Sequence, residues 1–390
     1  MSPPERARKT FDLSRHITAA VGAQKAYVPG DQPSESGWVK LNTNENPFPP
    51  SPRVAAAIRA ELGTDAASLR LYPNPASAPL RAAAARYHGH GLGAENVLAG
   101  NGSDDVLNLL VRAFADASKP AGMLVPSYSL YPVLSGLNAA AMRTVPVGLD
   151  GVFDTAAVAA SGANIFFLTN PNAPLGIAFA PEKIAEVLEA FDGLLVVDEA
   201  YAPFARADAV PLLTRFPNLV VTRTFSKAFA LAGIRAGYAL ADAAVVAALD
   251  KVRDSYNLDR LAQAAAVAAL EDRAYYDGIT AEIKRARDAA SAALRGLGWR
   301  VLPSEANFLM ASPPSAVGKT PAETAAAVHA FFKSRKILVR YFPSNPVTAP
   351  FLRISVGSAR EMETLLAAAA ASADADSSSS AADAADAAPR

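Results

Sequence analysis

Between residues 95 and 245 short apolar runs alternate with helical stretches or turns. The runs fall at 96–98, 123–125, 165–168, 194–197 and 219–222. They carry no polar alternation, which is the pattern of strands buried on both faces, and their spacing predicts right-handed βαβ crossovers. In SDDVLNLLVRAF, Val106, Leu107, Leu110, Val111 and Phe114 recur at helical spacing and mark one buried face. The pattern describes a doubly wound α/β domain. From 261 to 298 a single long helical stretch is expected. Beyond it come WRVLP, ANFLMAS, ILVRYF and FLRISVG, short strands around a helix at 321–335, which read as a smaller α+β domain joined to the first by the long helix.

The ends differ in kind. Residues 1–14 read as a flexible arm, and 371–390, rich in serine, alanine and aspartate, as a disordered tail. The first residues are polar and charged, without the apolar stretch of a secretory signal, and no apolar run approaches the ~20 residues needed to span a bilayer. A soluble cytoplasmic protein is expected. Lysine plus arginine and aspartate plus glutamate balance at 37 each, so no basic footprint points to nucleic acid or a membrane surface. Cysteine is absent, which removes disulfides, thiolate metal sites and cysteine nucleophiles. The four histidines show no metal spacing beyond an HGH stretch read as an exposed loop, and no metal is expected.

The polar residues then change the picture. In open parallel sheets ligands bind beyond the carboxyl ends of the strands, and polar clusters recur there. Gly100 to Asp105 form a glycine turn opening a helix whose free N–H groups can hold an anion. Tyr128 follows the run at 123–125, Asn170 and Asn172 the run at 165–168, and Asp198 and Tyr201 the run at 194–197. After 219–222 come Thr224, Ser226 and Lys227, with Arg235 two helical turns on. By itself this last stretch reads equally as a charged helix start or as an anion site beside a reactive amine. Each cluster alone has a plain reading as a cap or turn, but five at one sheet edge do not. An amine, a carboxylate, a phenol, an amide, an aromatic ring and an anion site together suit pyridoxal 5′-phosphate.

The chain resembles the fold-type I, class I/II aminotransferases, and within them the histidinol-phosphate branch, from about residue 20 to 370. The motifs are AYVPG, LNTNENPFPPSP, YPNP, GNGSDD, PSYSLY, NPNAPLG, DEAY, RTFSKAFALAGIRAGY, NFLM, ILVRYF and FLRISVG. The resemblance implies a mostly parallel seven-stranded sheet flanked by helices, in a large cofactor-binding domain at 49–275. It implies a small domain at 276–370 and a segment at 15–48 joining the small domain and a dimer partner.

It also implies roles. Lys227 bonds the cofactor aldehyde and shuttles a proton, Asp198 pairs with the ring nitrogen, and Asn170 and Tyr201 bond the phenolic oxygen. Tyr128 stacks on the ring. Ser103, Asp104, Thr224, Ser226 and Arg235 hold the phosphate, Arg235 being expected on the same helix face as Lys227, and Tyr72 reaches it from the other subunit of a homodimer. Tyr27, Asn172, Arg340 and Arg353 fall to the substrate. The implied reaction exchanges histidinol phosphate and 2-oxoglutarate for imidazole acetol phosphate and glutamate, in histidine biosynthesis. Aromatic amino-acid transamination, threonine-phosphate decarboxylation and a non-catalytic regulatory module are the competing readings. Two departures from the family pattern are Asn-Ala-Pro-Leu-Gly at 172–176, where Asn-Asn-Pro-Thr-Gly is usual, and Ala230 where glycine is common. Neither is expected to remove a cofactor contact.

Overall fold

The computed structural model describes residues 11–24 and 30–386. Its strands are β1 Val39–Leu41, β2 Val97–Gly100, β3 Ala121–Val125, β4 Met142–Pro146, β5 Ile165–Thr169, β6 Leu194–Asp198, β7 Leu219–Thr224, β8 Gly237–Ala241, β9 Arg300–Val301, β10 Phe308–Ser312, β11 Ile337–Tyr341 and β12 Leu352–Ser355. Seven of them form one sheet in the order β2-β8-β7-β6-β5-β3-β4. Only β8 runs against its neighbours; the other pairings in this sheet are parallel. Every residue of β5, β6 and β7 is buried, as their unbroken apolar pattern requires of strands covered by helices on both faces. The expected α/β class is therefore what the chain adopts.

The second sheet has the order β1-β11-β12-β10-β9. Its first strand comes from the N-terminal segment and pairs in parallel with β11, so residues near 40 belong to the same sheet as residues near 340. Trp299, Phe332, Leu352 and Leu365 lie in the core beneath it.

Two local expectations are corrected. The stretch at 261–298 is two helices, Arg260–Leu270 and Arg273–Gly296, rather than one. The break falls at Asp272, whose backbone leaves the helical region (φ −108, ψ 51) and whose carboxylate accepts a hydrogen bond from Ser51 Oγ. Aspartate is a weak helix former that prefers such local bonds. The final helix runs from Ala359 to Asp386, so the tail expected to be disordered from 371 is helical to that point; its alanine content favours helix over coil.

Candidate active site

The carboxyl ends of β2, β3, β5, β6 and β7 open on one cavity of about 880 Å³, closed on the far side by residues of β11, β12 and the segment at 30–45. Ser103, Asp104, Tyr128, Asp198, Tyr201, Thr224, Ser226, Lys227, Arg235, Arg340 and Arg353 all line it. Parallel register is the cause: strands running the same way deliver their following loops to the same edge.

Asp198 ends β6, with Thr169 of β5 and Thr222 of β7 beside it in register. Only 3% of Asp198 is exposed. Its carboxylate accepts from Tyr131 Oη at 2.6 Å and from Thr222 Oγ1 at 2.9 Å. Tyr131 has one proton and gives it to Asp198, so at the 2.7 Å contact with Thr169 it accepts. Thr169 has then spent its proton, and Ser127 donates to it across 2.9 Å. Hydroxyl protons are thus aligned toward the acid. Burial pushes the Asp198 carboxyl above its ordinary range, opposed by the bonds from Tyr131 and Thr222. None of these hydroxyls was assigned a role from sequence, although Thr222 stands out as the polar residue of a Leu-Val-Val run.

Lys227 follows β7 but opens no helix. Residues 225–235 form bends and turns, with Ala230 at φ +55 and Arg235 at φ +56. The shared helix face for Lys227 and Arg235 is therefore wrong, and the chain's return to β8 brings them together instead. Arg235 Nη1 donates to Ser226 Oγ at 3.3 Å, and its guanidinium lies 3.7 Å from Asp104. Gly102, at φ +88, caps the helix Ser103–Phe114, and a side chain there would also meet Arg235 at 2.7 Å. Tyr128 Oη donates to Asp104 at 3.2 Å, and its ring stands edge-on to Tyr131. This corner combines free helical N–H groups, two hydroxyls and a guanidinium, a donor set for a phosphate.

Lys227 Nζ donates to the Thr43 carbonyl at 2.9 Å. Asn46 Nδ2 bonds the Lys227 and Ala228 carbonyls, and Asn44 Nδ2 bonds Tyr201 Oη at 2.9 Å. The run NTNENP therefore reaches into the site from 150 or more residues away; three asparagines in five positions were its signal. Opposite, Arg340 and Arg353 are cross-strand partners in β11 and β12. Arg353 donates to the Asn42 carbonyl and lies over the Phe308 and Phe342 rings. Like charges placed across a ladder repel, and an anion between them would relieve the repulsion.

The asparagine loop is corrected. Asn170 is 1% exposed and spends its side chain on the Phe179 backbone, accepting from N at 2.7 Å and donating to O at 3.3 Å. Asn172 is spent likewise on Pro126 O and Leu175 N. Neither lines the cavity, whereas Ala173 does. The departure from the family pattern at 173, expected to remove no cofactor contact, thus falls at the residue of this loop that faces the site. Tyr72 lies outside its own cavity, 75% exposed and stacked on Tyr256 at 4.3 Å. Tyr27 lies outside the described residues. His88, read as part of an exposed loop, ends a helix and bonds Tyr238 Oη at 2.8 Å, and burial lowers its pKa to about 2.

Residues 36–369 match the family model for aminotransferase class I and II. A histidinol-phosphate aminotransferase of Geobacter sulfurreducens is 48% identical over 353 residues, covering 89% of this chain and 97% of its own. One of Syntrophotalea carbinolica is 48% identical over 349 residues, covering 89% and 96%. The crystal structure of histidinol-phosphate aminotransferase from Sinorhizobium meliloti in complex with pyridoxal-5′-phosphate is similar with a TM-score of 0.81 at 30% identity, covering 92% of this chain and 97% of that one. A matching fold, a lysine and a buried acid at one strand edge and a family match over most of the length lead to one conclusion: this chain belongs to the class I and II aminotransferases.

Proposed function

We propose that the chain transfers the amino group of histidinol phosphate to 2-oxoglutarate, giving imidazole acetol phosphate and glutamate, with pyridoxal 5′-phosphate as cofactor, as a step of histidine biosynthesis in the cytoplasm. The observation that carries this reading is one cavity that holds Lys227 and Asp198 and has cations at both ends, Arg235 at one and the Arg340–Arg353 pair at the other. Two separated cationic corners suit two phosphates, the cofactor's and the substrate's.

The residues fit the cofactor. Asp198 is buried, and its hydrogen-bond partners are neutral: Tyr131, Thr222 and the Ala200 N–H. A protonated ring nitrogen beside it would offset the cost of burial. The start of the helix Ser103–Phe114, with Thr224, Ser226 and Arg235, would hold the phosphate, and Tyr128 would cover the ring. When bound, pyridoxal 5′-phosphate supplies an aldehyde that condenses with amines and a cationic ring that takes up the electron pair left at the substrate's Cα. Lys227 Nζ would bond that aldehyde and would take up and return the proton at the substrate's Cα. Asp198 would hold the proton on the ring nitrogen, and Tyr201 would donate to the phenolic oxygen. Arg340 and Arg353 would hold the substrate's anionic end, a task assigned also to Tyr27, while Asn172 acts only through its bonds to Pro126 O and Leu175 N.

The working unit is a homodimer. Leu69, Leu71, Tyr72 and Tyr256 are exposed together, an apolar patch suited to a second copy, and Tyr72 would reach the phosphate of the partner's site.

Steady-state kinetics test the substrate. Histidinol phosphate should exceed phenylalanine in kcat/KM by at least about a hundredfold, and Arg340→Met should raise KM for histidinol phosphate more than it lowers kcat. Equal or faster turnover of phenylalanine would refute the assignment. No carbon dioxide should be released from threonine phosphate.

A further inference from the structure

Asn44 lies three residues past β1, 1% exposed and in the left-handed conformation at φ +56. Its polar groups are engaged on every side, and the directions of those bonds can be worked out. Its backbone N–H donates to Ser355 Oγ at 2.8 Å. Ser355 has a single proton, which therefore goes to Asn44 Oδ1 at 2.9 Å. That fixes the amide oxygen toward Ser355 and turns the NH2 toward Tyr201 Oη at 2.9 Å. The phenol oxygen accepts, so its own proton is left for another acceptor. Tyr201 lines the cavity, with the Phe308 ring edge-on at 5.1 Å. Asn307 Nδ2 donates to the Asn44 carbonyl at 3.0 Å and pins the turn from below.

The Asn170 and Asn172 amides are spent on backbone groups, and alanine occupies 173. The Tyr201 hydroxyl, by contrast, belongs to a residue that lines the cavity. A hydrogen bond received by a hydroxyl strengthens the one it donates.

We propose that Asn44 is a positioning residue: by donating to the Tyr201 oxygen it commits the phenol proton to the phenolic oxygen of the cofactor. This rests on pyridoxal 5′-phosphate being the cofactor bonded to Lys227. Because Asn44 is held by Ser355 of β12 and by Asn307, just before β10, the second sheet and the turn leading into it set a hydrogen bond at the edge of the first. A donor to the phenolic oxygen draws electron density from the ring and makes the Lys227 nitrogen easier to deprotonate.

The test is the pH midpoint at which the absorbance of the cofactor-bound protein changes. Asn44→Gly keeps the left-handed backbone unstrained and removes the amide; the midpoint should rise by several tenths of a unit, on the order of a weakened hydrogen bond. Asn44→Asp keeps shape and backbone preference but presents an acceptor, which turns the Tyr201 proton away from the cavity. Its midpoint should rise further, by about one unit. A merely structural role would make this isosteric change the milder one. In a Tyr201→Phe background, which itself raises the midpoint, Asn44→Gly should add nothing and Asn44→Asp should keep only the part due to its charge. Should Asn44→Asp fail to fold, Ser355→Ala frees the amide to turn over and should move the midpoint upward by less. The proposal is overturned by an unmoved midpoint in Asn44→Gly and Asn44→Asp, or by an Asn44→Gly shift that survives undiminished in the Tyr201→Phe background. Either result leaves the cofactor assignment intact. Absence of cofactor absorbance in the unaltered protein would overturn both.

Discussion

Asp198 and Glu199 are neighbours in sequence, both buried, and point to opposite sides of the large sheet. On one side Asp198 faces the cavity among neutral donors. On the other Glu199 meets the Arg223 guanidinium at 2.7 Å, which also reaches Asp208 at 2.8 Å, and accepts from the Ala209 N–H at 2.6 Å. Strand alternation explains the arrangement, since Thr222 goes with Asp198 and Arg223 with Glu199. Burial pushes both carboxyls upward. Burial alone therefore does not mark the functional acid; the partner does. Glu199 has its cation inside the fold, whereas Asp198 has only neutral donors and an open cavity beside it, the setting that the proposed ring nitrogen would complete.

Substitutions can break this comparison. Asp198→Asn should have the largest effect, lowering kcat by about 10²–10³ with the cofactor still bound and no loss of stability in the cofactor-free protein at neutral pH. Arg223→Met should do the converse. It strands Glu199 and Asp208, costs about 3–5 kcal/mol in denaturant unfolding, and leaves kcat of the folded protein nearly unchanged.

Proton linkage sharpens the contrast. Folding raises Glu199 from 4.5 to about 7, chiefly through burial, and raises Asp198 above 3.8 for the same reason. A carboxyl raised on folding contributes its full stability below the unfolded pKa and loses it as pH climbs through the folded one. The cofactor-free protein should therefore lose stability relative to Glu199→Gln between pH 4.5 and about 7 and level off above. Cofactor should abolish the corresponding slope for Asp198, measured against Asp198→Asn, and leave that of Glu199 in place. Tyr131→Phe should be the mildest change. It removes one of the hydroxyl bonds to Asp198, worth about 1 kcal/mol or roughly fivefold in kcat.

The large sheet was legible because its signal is local: five apolar runs, each followed by polar residues, define both the strands and the edge where they act. Lys227, Asp198 and Arg235 were placed at that edge for this reason, and all three line the cavity there. The connection at 225–235 was misread because alanine and leucine imitate a helix, while Ala230 and Arg235 take left-handed backbone that composition does not announce. Asn170 and Asn172 lie in the right loop, yet which way an amide turns depends on Phe179 and Pro126, set by packing. Asn44 was missed because its partners are 157 and 311 positions away.

The central claim is a covalent bond between Lys227 Nζ and the cofactor aldehyde, beside Asp198. Borohydride reduction of the cofactor-loaded protein, followed by peptide mass spectrometry, tests it most directly. The reduced cofactor should be found on Lys227 and be missing after prior conversion of the cofactor to its amine form by substrate. A label on another lysine, or no label on a protein that binds the cofactor, would contradict it.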